Sequence, residues 1–238
     1  MRHAILSDIH SNWEALETAL AYLKKERVTE FSVLGDTIGY GANPNECFEW
    51  MIQNAHAMVM GNHEKAVVDP ELLEHFNSDA RSANEWTARV LKLEHKKRIQ
   101  DLRYLHIRAF ATLAHASPDY PDQFRYLFSY EDVRESFHWF ETALCFVGHT
   151  HIPTLFSQES ESAVYLKPGK HELARNGHFI LNPGSVGQPR DRDPRLSFGI
   201  FDDKNWTFEI VRLDYDNHKA ADKIRKAGLP IHLAERLL

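Results

Sequence analysis

Up to about His151 the chain alternates short apolar runs with longer stretches of helical period. His3 to Ser7, Phe31 to Leu34, Ala57 to Met60, Ala109 to Ala114 and Leu144 to Val147 each have the length of a buried strand. Between the first two, Trp13, Leu16, Leu20 and Leu23 recur at spacings of 3, 4 and 3. This predicts an amphipathic helix over Asn12 to Lys25 and, with the flanking strands, a βαβ unit. Asn43-Pro44 opens a second helix carrying Cys47, Phe48, Met51 and Ile52, since proline's missing N–H costs nothing in a first helical turn. Glu64 to Arg108 is mostly helical in pattern, with Trp86, Val90 and Leu93 on one side, and predicts a helical insert that caps the sheet. Glu131 to Phe140 predicts one more short helix.

After His151 the texture changes. Thr154 to Phe156, Ala163 to Leu166, Phe179 to Leu181, Leu196 to Phe201 and Trp206 to Leu213 are short β-prone runs separated by Gly, Pro, Asn and Asp. They predict a second, largely antiparallel sheet. Two helices, Lys219 to Lys226 and Ile231 to Leu237, close the chain. The alternation places the protein in the α/β class. Its 238 residues, 43% of them hydrophobic, suffice for one core, and we expect a single domain over 1–238 with the helical insert at approximately 64–108.

Composition narrows the function. With 28 basic against 34 acidic side chains the net charge is −6, which disfavours the broad basic face that holds a nucleic-acid backbone. No stable nucleic-acid complex is expected. No apolar stretch approaches the ~18 residues of a membrane span, so no membrane partner is expected either. Cys47 and Cys145, 98 positions apart and without a CxxC pair, argue against a cysteine zinc site and fit a reducing, cytoplasmic setting. The unusual number is 15 histidines, and several of them fall where chemistry is expected.

Each early strand is followed by residues able to bind a metal: Ser7-Asp8-Ile9-His10, Gly35-Asp36, Gly61-Asn62-His63-Glu64, His115 and Gly148-His149-Thr150-His151. Strands of an open α/β sheet present their carboxyl ends along one edge, so these five segments are expected to meet in one crevice. Asp8, His10, Asp36, Asn62, His115, His149 and His151 make seven oxygen or imidazole donors. That is more than one cation uses and enough for two divalent metal ions if Asp36 bridges. Mixed imidazole and carboxylate donors suit Mn, Fe, Zn or Co rather than Ca, without choosing among the four. Two divalent ions against two carboxylates and one hydroxide leave a positive site in an acidic chain, which suits an anionic phosphate. Water on such ions is acidified from about 15.7 toward ~7, so no Ser or Cys nucleophile is needed.

In order and spacing, Asp8-x-His10, Gly35-Asp36, Gly61-Asn62-His63-Glu64, His115 and Gly148-His149-x-His151 resemble the five-part signature of the calcineurin-like metallophosphoesterase superfamily, over residues 8 to 151. Asn182-Pro183-Gly184-Ser185 and Gly39-Tyr40-Gly41-x-x-Pro44 are similar to loops of its small prokaryotic phosphodiesterase and phosphatase branch. The resemblance implies a two-sheet α/β/β/α sandwich with the metals between the sheet edges. It implies that Asp8, His10, Asp36 and His151 hold one metal and that Asp36, Asn62, His115 and His149 hold the other. His63 would then protonate the leaving group or stabilise the transition state, and Asn62 would help polarise the phosphoryl oxygens. The implied activity is metal-dependent hydrolysis of a phosphate ester or nucleotide phosphoanhydride, the partner being a phosphorylated small molecule or a nucleotide. A phosphomonoesterase resembling protein serine/threonine phosphatases is the alternative. An inactive interaction scaffold is the second, disfavoured because all seven donors and His63 are present.

Two departures bear on substrate. Eukaryotic-type protein phosphatases of the superfamily carry Gly-Asp-x-x-Asp-Arg-Gly at the second block, whereas this chain reads Gly35-Asp36-Thr37-Ile38-Gly39-Tyr40-Gly41. The Asp that orients the catalytic His and the Arg that grips phosphate are both missing, which tilts the reading toward diesters and nucleotides. Asn12, Tyr40 and Arg190, with Arg192, are the candidates for substrate contact. Ordinary readings stand beside these. Arg190, Arg192 and Arg195 interleave with Asp191 and Asp193 as solvated hairpin charges do, and Gly39-Tyr40-Gly41 suits a loop of positive φ. Asn62 or His63 also suits a helix cap. Trp13, Trp50, Trp86, Trp139 and Trp206 lie in periodic apolar contexts and read as core or lid packing.

Overall fold

The structure, a computed structural model, describes residues 1–238. The first part of the chain runs β1 (Arg2–Leu6), α1 (Trp13–Lys25), β2 (Glu30–Val33), α2 (Pro44–Asn54), β3 (Ala57–Met58) and α3 (Asn62–Val68). A 3-10 turn (Pro70–His75), α4 (Ser78–Val90) and α5 (Leu93–Gln100) follow, then β4 (Leu105–Ile107), β5 (Ala111–Ala114), α6 (Tyr130–Val133) and β6 (Leu144–Phe146). The remainder supplies β7 (Thr154–Ser157), β8 (Ser162–Tyr165), β9 (Gly169–Glu172), β10 (Phe179–Asn182), β11 (Leu196–Asp202), β12 (Thr207–Leu213), α7 (Asn217–Lys226) and α8 (Ile231–Glu235).

These strands form two six-stranded sheets, ordered β3-β2-β1-β11-β12-β9 and β4-β5-β6-β10-β7-β8. The late strands therefore do not make a sheet of their own, as the change of texture after His151 had suggested. β11 lies antiparallel to β1, with Gly199 opposite Ile5, and β10 lies parallel to β6, with Ile180 opposite Cys145. Periodicity tells which face of a strand is buried, but not which strand it pairs with.

Alternation along the strands sorts the core into layers. Ile5, Leu113, Phe146, Leu181, Phe201 and Phe208 fill the space between the sheets. Their neighbours Ala4, Leu6, Phe198 and Ile200 pack instead against Ala15, Leu16, Ala19 and Leu23 of α1. On the other outer face Ala114, Cys145, Val147 and Ile180 meet Val133 and Phe137. The layers are thus helix, sheet, sheet, helix, the α/β/β/α sandwich. No helix is long and apolar enough to cross a membrane.

The helical insert is shorter than its sequence pattern. Its helices end at Gln100, and residues 105–107 join the second sheet as edge strand β4, antiparallel to β5. A break at Leu91-Lys92 separates α4 from α5. Val90 and Leu93, expected to face inward, are exposed, and so is Trp139 in the stretch that divides into α6 and a 3-10 turn. The buried face of α4 is small and polar instead, Ala80, Ala83, Asn84 and Thr87. Those alanines let α4 sit close to Ala220, Ala221, Ile224 and Leu233 of α7 and α8, and they aim Asn84 inward.

Candidate metal centre

The five donor-bearing segments meet, although they come from two sheets rather than one. Asp8 and His10 follow β1, Asp36 follows β2 and Asn62 opens α3, while His115 follows β5 and His149 and His151 follow β6. Backbone bonds lock the loops together: His10 N–H donates to Asp36 O at 2.9 Å, Gly148 N–H to His115 O at 2.7 Å, and Gly187 N–H to Asp8 O at 3.0 Å. Asp8, His10, Asp36, His149 and His151 all have φ between 49° and 64°. Each such non-glycine residue costs ~1–3 kcal/mol, and strain of this kind collects where a site dictates side-chain direction. Close approach also fixes Gly148, where a Cβ would fall 1.9 Å from Ser7 Oγ and 2.6 Å from Asp8 Oδ2.

Ligand atoms of Asp8, His10 and His151 lie within 4.8 Å of one another, and so do those of Asp36, His115 and His149. All six residues are buried, and Asn62 is half-buried beside them. Burial pushes the Asp8 and Asp36 carboxyls up, but the surrounding imidazoles outweigh it, His151 for Asp8 and His115 for Asp36, and hold both below the usual carboxylate range. Burial, reinforced by neighbouring cationic groups, lowers His10 and His151 and takes His149 down to about 3. His115 moves the other way. Burial lowers it, yet Asp36, 3.2 Å from its Nε2, dominates together with its other partners and takes it up to about 9.

These charge states leave too few protons for the acceptors present. His10 Nδ1–H donates to Ile38 O at 3.1 Å and His151 Nδ1–H to Gln188 O, so the two neutral rings turn their Nε2 lone pairs on each other at 3.1 Å. Asp8 Oδ1 stands 3.3 Å from His151 Nε2, and Asp36 Oδ2 stands 3.8 Å from His10 Nε2. Four acceptors therefore face one point without a donor, an arrangement that repels itself until a cation joins it. On the other side, His115 gives Nδ1–H to Leu34 O at 2.7 Å and presents Nε2 to Asp36 Oδ2, to Asn62 Oδ1 and to His149 Nδ1, the last two at 3.1 Å. One proton there serves one of three acceptors, whereas a divalent cation serves all. The donor set fits such an ion.

His63, the second residue of α3, is 2% exposed and gives its backbone N–H to Asp36 Oδ1 at 2.9 Å. Burial takes its imidazole down to about 4 despite the Asp36 charge, so the ring is neutral at neutral pH. Its Nδ1 meets Asn84 Oδ1 at 3.2 Å. The group that orients His63 is thus carried by the insert. The position that holds Asp in the phosphatase pattern is Gly39, where a Cβ would lie 2.1 Å from His63 Nδ1: the ring occupies that space itself. Tyr40 stands in the place of the phosphate-gripping Arg. Its ring lies 4.4 Å from His63 and 4.6 Å from His10, with the Arg190 guanidinium 5.9 Å from its own centroid.

Asn12 is spent on structure rather than substrate. Its Oδ1 caps α1 by accepting from Ala15 N–H, and its Nδ2 donates to Gly187 O and Tyr215 OH at 2.9 and 3.1 Å. The Asn182 to Ser185 loop is a brace too, with Asn182 Nδ2 donating to Gly148 O and Ser185 Oγ to Asp8 O. Sequence reasoning passed over Glu64, whose carboxylate accepts from the N–H groups of Asp36, Thr37 and Gly61 at 2.8, 2.7 and 3.1 Å and so fixes the Asp36 loop. A Glu at the third position of a helix that follows a Gly is the local signal that could have found it. Asn84 had no such signal.

Known proteins resemble this chain in sequence and in fold. A family model described as a calcineurin-like phosphoesterase superfamily domain matches residues 1–205. The chain is 41% identical to an uncharacterized protein of Methanocaldococcus jannaschii over 239 aligned residues, 98% of this chain and 96% of the relative. The crystal structure of a metallophosphoesterase from Sphaerobacter thermophilus superimposes with a TM-score of 0.90 at 36% identity, over 100% of this chain and 98% of the other. A hypothetical protein from Pyrococcus horikoshii shares the fold at a TM-score of 0.80 and 18% identity, over 99% and 97% of the two chains.

Proposed function

The chain belongs to the calcineurin-like phosphoesterase superfamily, and from that premise we propose that it hydrolyses phosphate esters or phosphoanhydrides with two divalent cations, Mn, Fe, Zn or Co. Asp8, His10, Asp36 and His151 hold one cation in this reading, and Asp36, Asn62, His115 and His149 hold the other. The observation that carries it is the surplus of acceptors on both sides of Asp36, among them two neutral imidazole nitrogens 3.1 Å apart. Cations held there by these residues would supply Lewis acidity toward a phosphoryl oxygen and would lower the pKa of a water molecule toward neutrality.

The chain's own groups do the rest. Asp36 is shared by the two donor sets and is kept in place by Glu64 through the N–H groups of its loop. Asn62 lines the cleft, where its amide would help polarise a phosphoryl oxygen during attack. The Nε2 of His63, whose ring lines the same cleft, is the proton-carrying atom. An arriving phosphate favours the protonated ring, and Nε2 passes that proton to the leaving oxygen as its bond to phosphorus breaks. Asn84 keeps Nδ1 turned inward throughout. Buried, unpaired Cys47 and Cys145 fit a cytoplasmic setting.

Hydrolysis of p-nitrophenyl phosphate and bis-p-nitrophenyl phosphate, before and after Mn2+ is added to chelator-treated protein, tests the proposal. No turnover without metal, recovery with it, and loss in the His10→Ala, His149→Ala double variant are expected. The diester should be the better substrate, since Tyr40 replaces the arginine that grips a monoester dianion. Full turnover by the double variant contradicts the proposal.

A further inference from the structure

The sandwich has four edge strands, β3 and β9 in one sheet and β4 and β8 in the other. An edge strand offers a row of unpaired N–H and C=O groups to any passing chain, and proteins blunt it by shortening, charging or covering it. Three of the four are blunted. β3 is two residues long and β4 three, and between them Val59 pairs with Arg103 and ties that side of the two sheets together. β9 carries Lys170, His171 and Glu172. β8 is the exception. It reads Ser162-Ala163-Val164-Tyr165, without a charge, a proline or a glycine, although Val164 and Tyr165 are 50% and 66% exposed. A β-branched and an aromatic side chain at such positions suit a strand that has a neighbour on each side.

Backbone direction and charge together select that neighbour. β8 runs antiparallel to β7 with Tyr165 opposite Thr154, and the next N–H, that of Leu166, donates to Pro153 O at 2.9 Å. Hydrogen-bonded positions alternate along an antiparallel pair, so Val164 and Ser162 also turn their backbone groups to β7, and Ala163 and Tyr165 turn theirs to the open side. If the added strand is β8 of a second copy related by a two-fold axis, only registers that set odd-numbered residues opposite odd-numbered ones satisfy both chains. Placing Val164 on the axis sets Ala163 opposite Tyr165 and Glu161 opposite Lys167, each twice by symmetry. The nearest allowed registers on either side set Glu161 opposite Tyr165, or Ala163 opposite Lys167, and lose the charge match. Glu161 ends the β7–β8 turn, Lys167 follows β8, and both are exposed.

We propose that β8 is a homodimer seam, at which two copies of this chain join edge to edge and antiparallel, with Val164 on the two-fold axis and Glu161 of each copy against Lys167 of the other. The sheet β4-β5-β6-β10-β7-β8 then runs without a break into its copy. A seam this short lies below the size of a permanent interface, so the dimer dissociates on dilution. The inference stands apart from the phosphoesterase reading, since no residue from 161 to 167 lines the cleft at Asn62, His63 and His149.

Sedimentation equilibrium of the whole chain, over about 5–500 μM where a small interface associates, tests the seam. The mass should climb with concentration from 27.6 kDa toward twice that value. Val164→Lys sets two ammonium groups face to face on the axis and should abolish the rise. Glu161→Lys turns both ion pairs into repulsions and should weaken association by about tenfold, and adding Lys167→Glu to it should restore the wild-type value. Amide exchange at Ala163 and Tyr165, whose N–H groups face the open side, should slow as the dimer forms. All the substituted positions are exposed, and melting curves verify that the variants fold. A dimer that Val164→Lys leaves intact, or a charge reversal that the second change does not rescue, overturns the inference. So does a mass of 27.6 kDa at every concentration, which would leave the edge to a strand from a different protein.

Discussion

Replacing Asn84 with alanine tests how His63 is held. The contact between His63 Nδ1 and Asn84 Oδ1 is 3.2 Å long, and the two residues are only 2% and 1% exposed. Without the amide oxygen a buried N–H loses its partner, a cost of about 1–3 kcal/mol. Gly39 lies too close for the ring to shift that way, and the rings of Tyr40 and Phe76 stand 4.4 and 5.2 Å away, so the ring recovers mainly by turning Nε2 from the cleft. At about 1.4 kcal/mol per factor of ten, the expected result is a fall in kcat of about five- to a hundredfold with little change in KM. Stability lost alongside should lower the melting temperature by about 2–12 °C. Asn84→Asp has the same shape and adds a charge that favours the imidazolium, raising the His63 pKa by about 1–3 units. Activity that needs a protonated His63 should then persist to higher pH. The assay is kcat and KM for bis-p-nitrophenyl phosphate across pH, with a melting curve for each variant. A lower melting temperature with kcat preserved within about twofold, and a pH profile unmoved in Asn84→Asp, would refute the positioning role.

Two further outcomes follow from the site's geometry. Gly148→Ala places a methyl group 1.9 Å from Ser7 Oγ and 2.6 Å from Asp8 Oδ2, and should cost about 1–3 kcal/mol while loosening metal retention. A wild-type melting curve and wild-type metal content would show that the loops tolerate it. Metal loading should also release a proton from His115, because Asp36 holds that imidazole protonated up to about pH 9 in the metal-free protein. Apparent affinity then rises with pH by about tenfold per unit and levels off above about 9. Calorimetry in buffers of different ionisation enthalpy reads the proton directly, and a pH-independent affinity between 6 and about 9 would contradict the assignment.

How much of this was legible in the sequence depended on how local the cause was. β1, α1 and β2 follow from short-range periodicity, and the structure reproduces them within a residue or two. β9 could not be seen: Gly169–Glu172 has no apolar side chain to alternate, is largely exposed, and is a strand only because its backbone pairs with β12. The partition of late strands between two sheets was hidden for a related reason, since Ile5 meets Gly199 across nearly the whole chain. The candidate metal donors were legible because each lies within a few residues of a strand end. Asn84 was not, because a single Asn in an alanine-rich helix reads as solvated until α3 packs against α4 and sets His63 beside it. Arg190 was already a candidate in the sequence, and its place over Tyr40 sets it apart from Arg195, which pairs with Asp193.

Anomalous scattering from crystals grown with Mn2+ tests the central claim most directly. Two peaks should appear on opposite sides of the Asp36 carboxylate, ~3.5–4 Å apart, one against Asp8, His10 and His151 and the other against Asn62, His115 and His149. A single peak, or none, in protein with all seven donors intact would contradict the account.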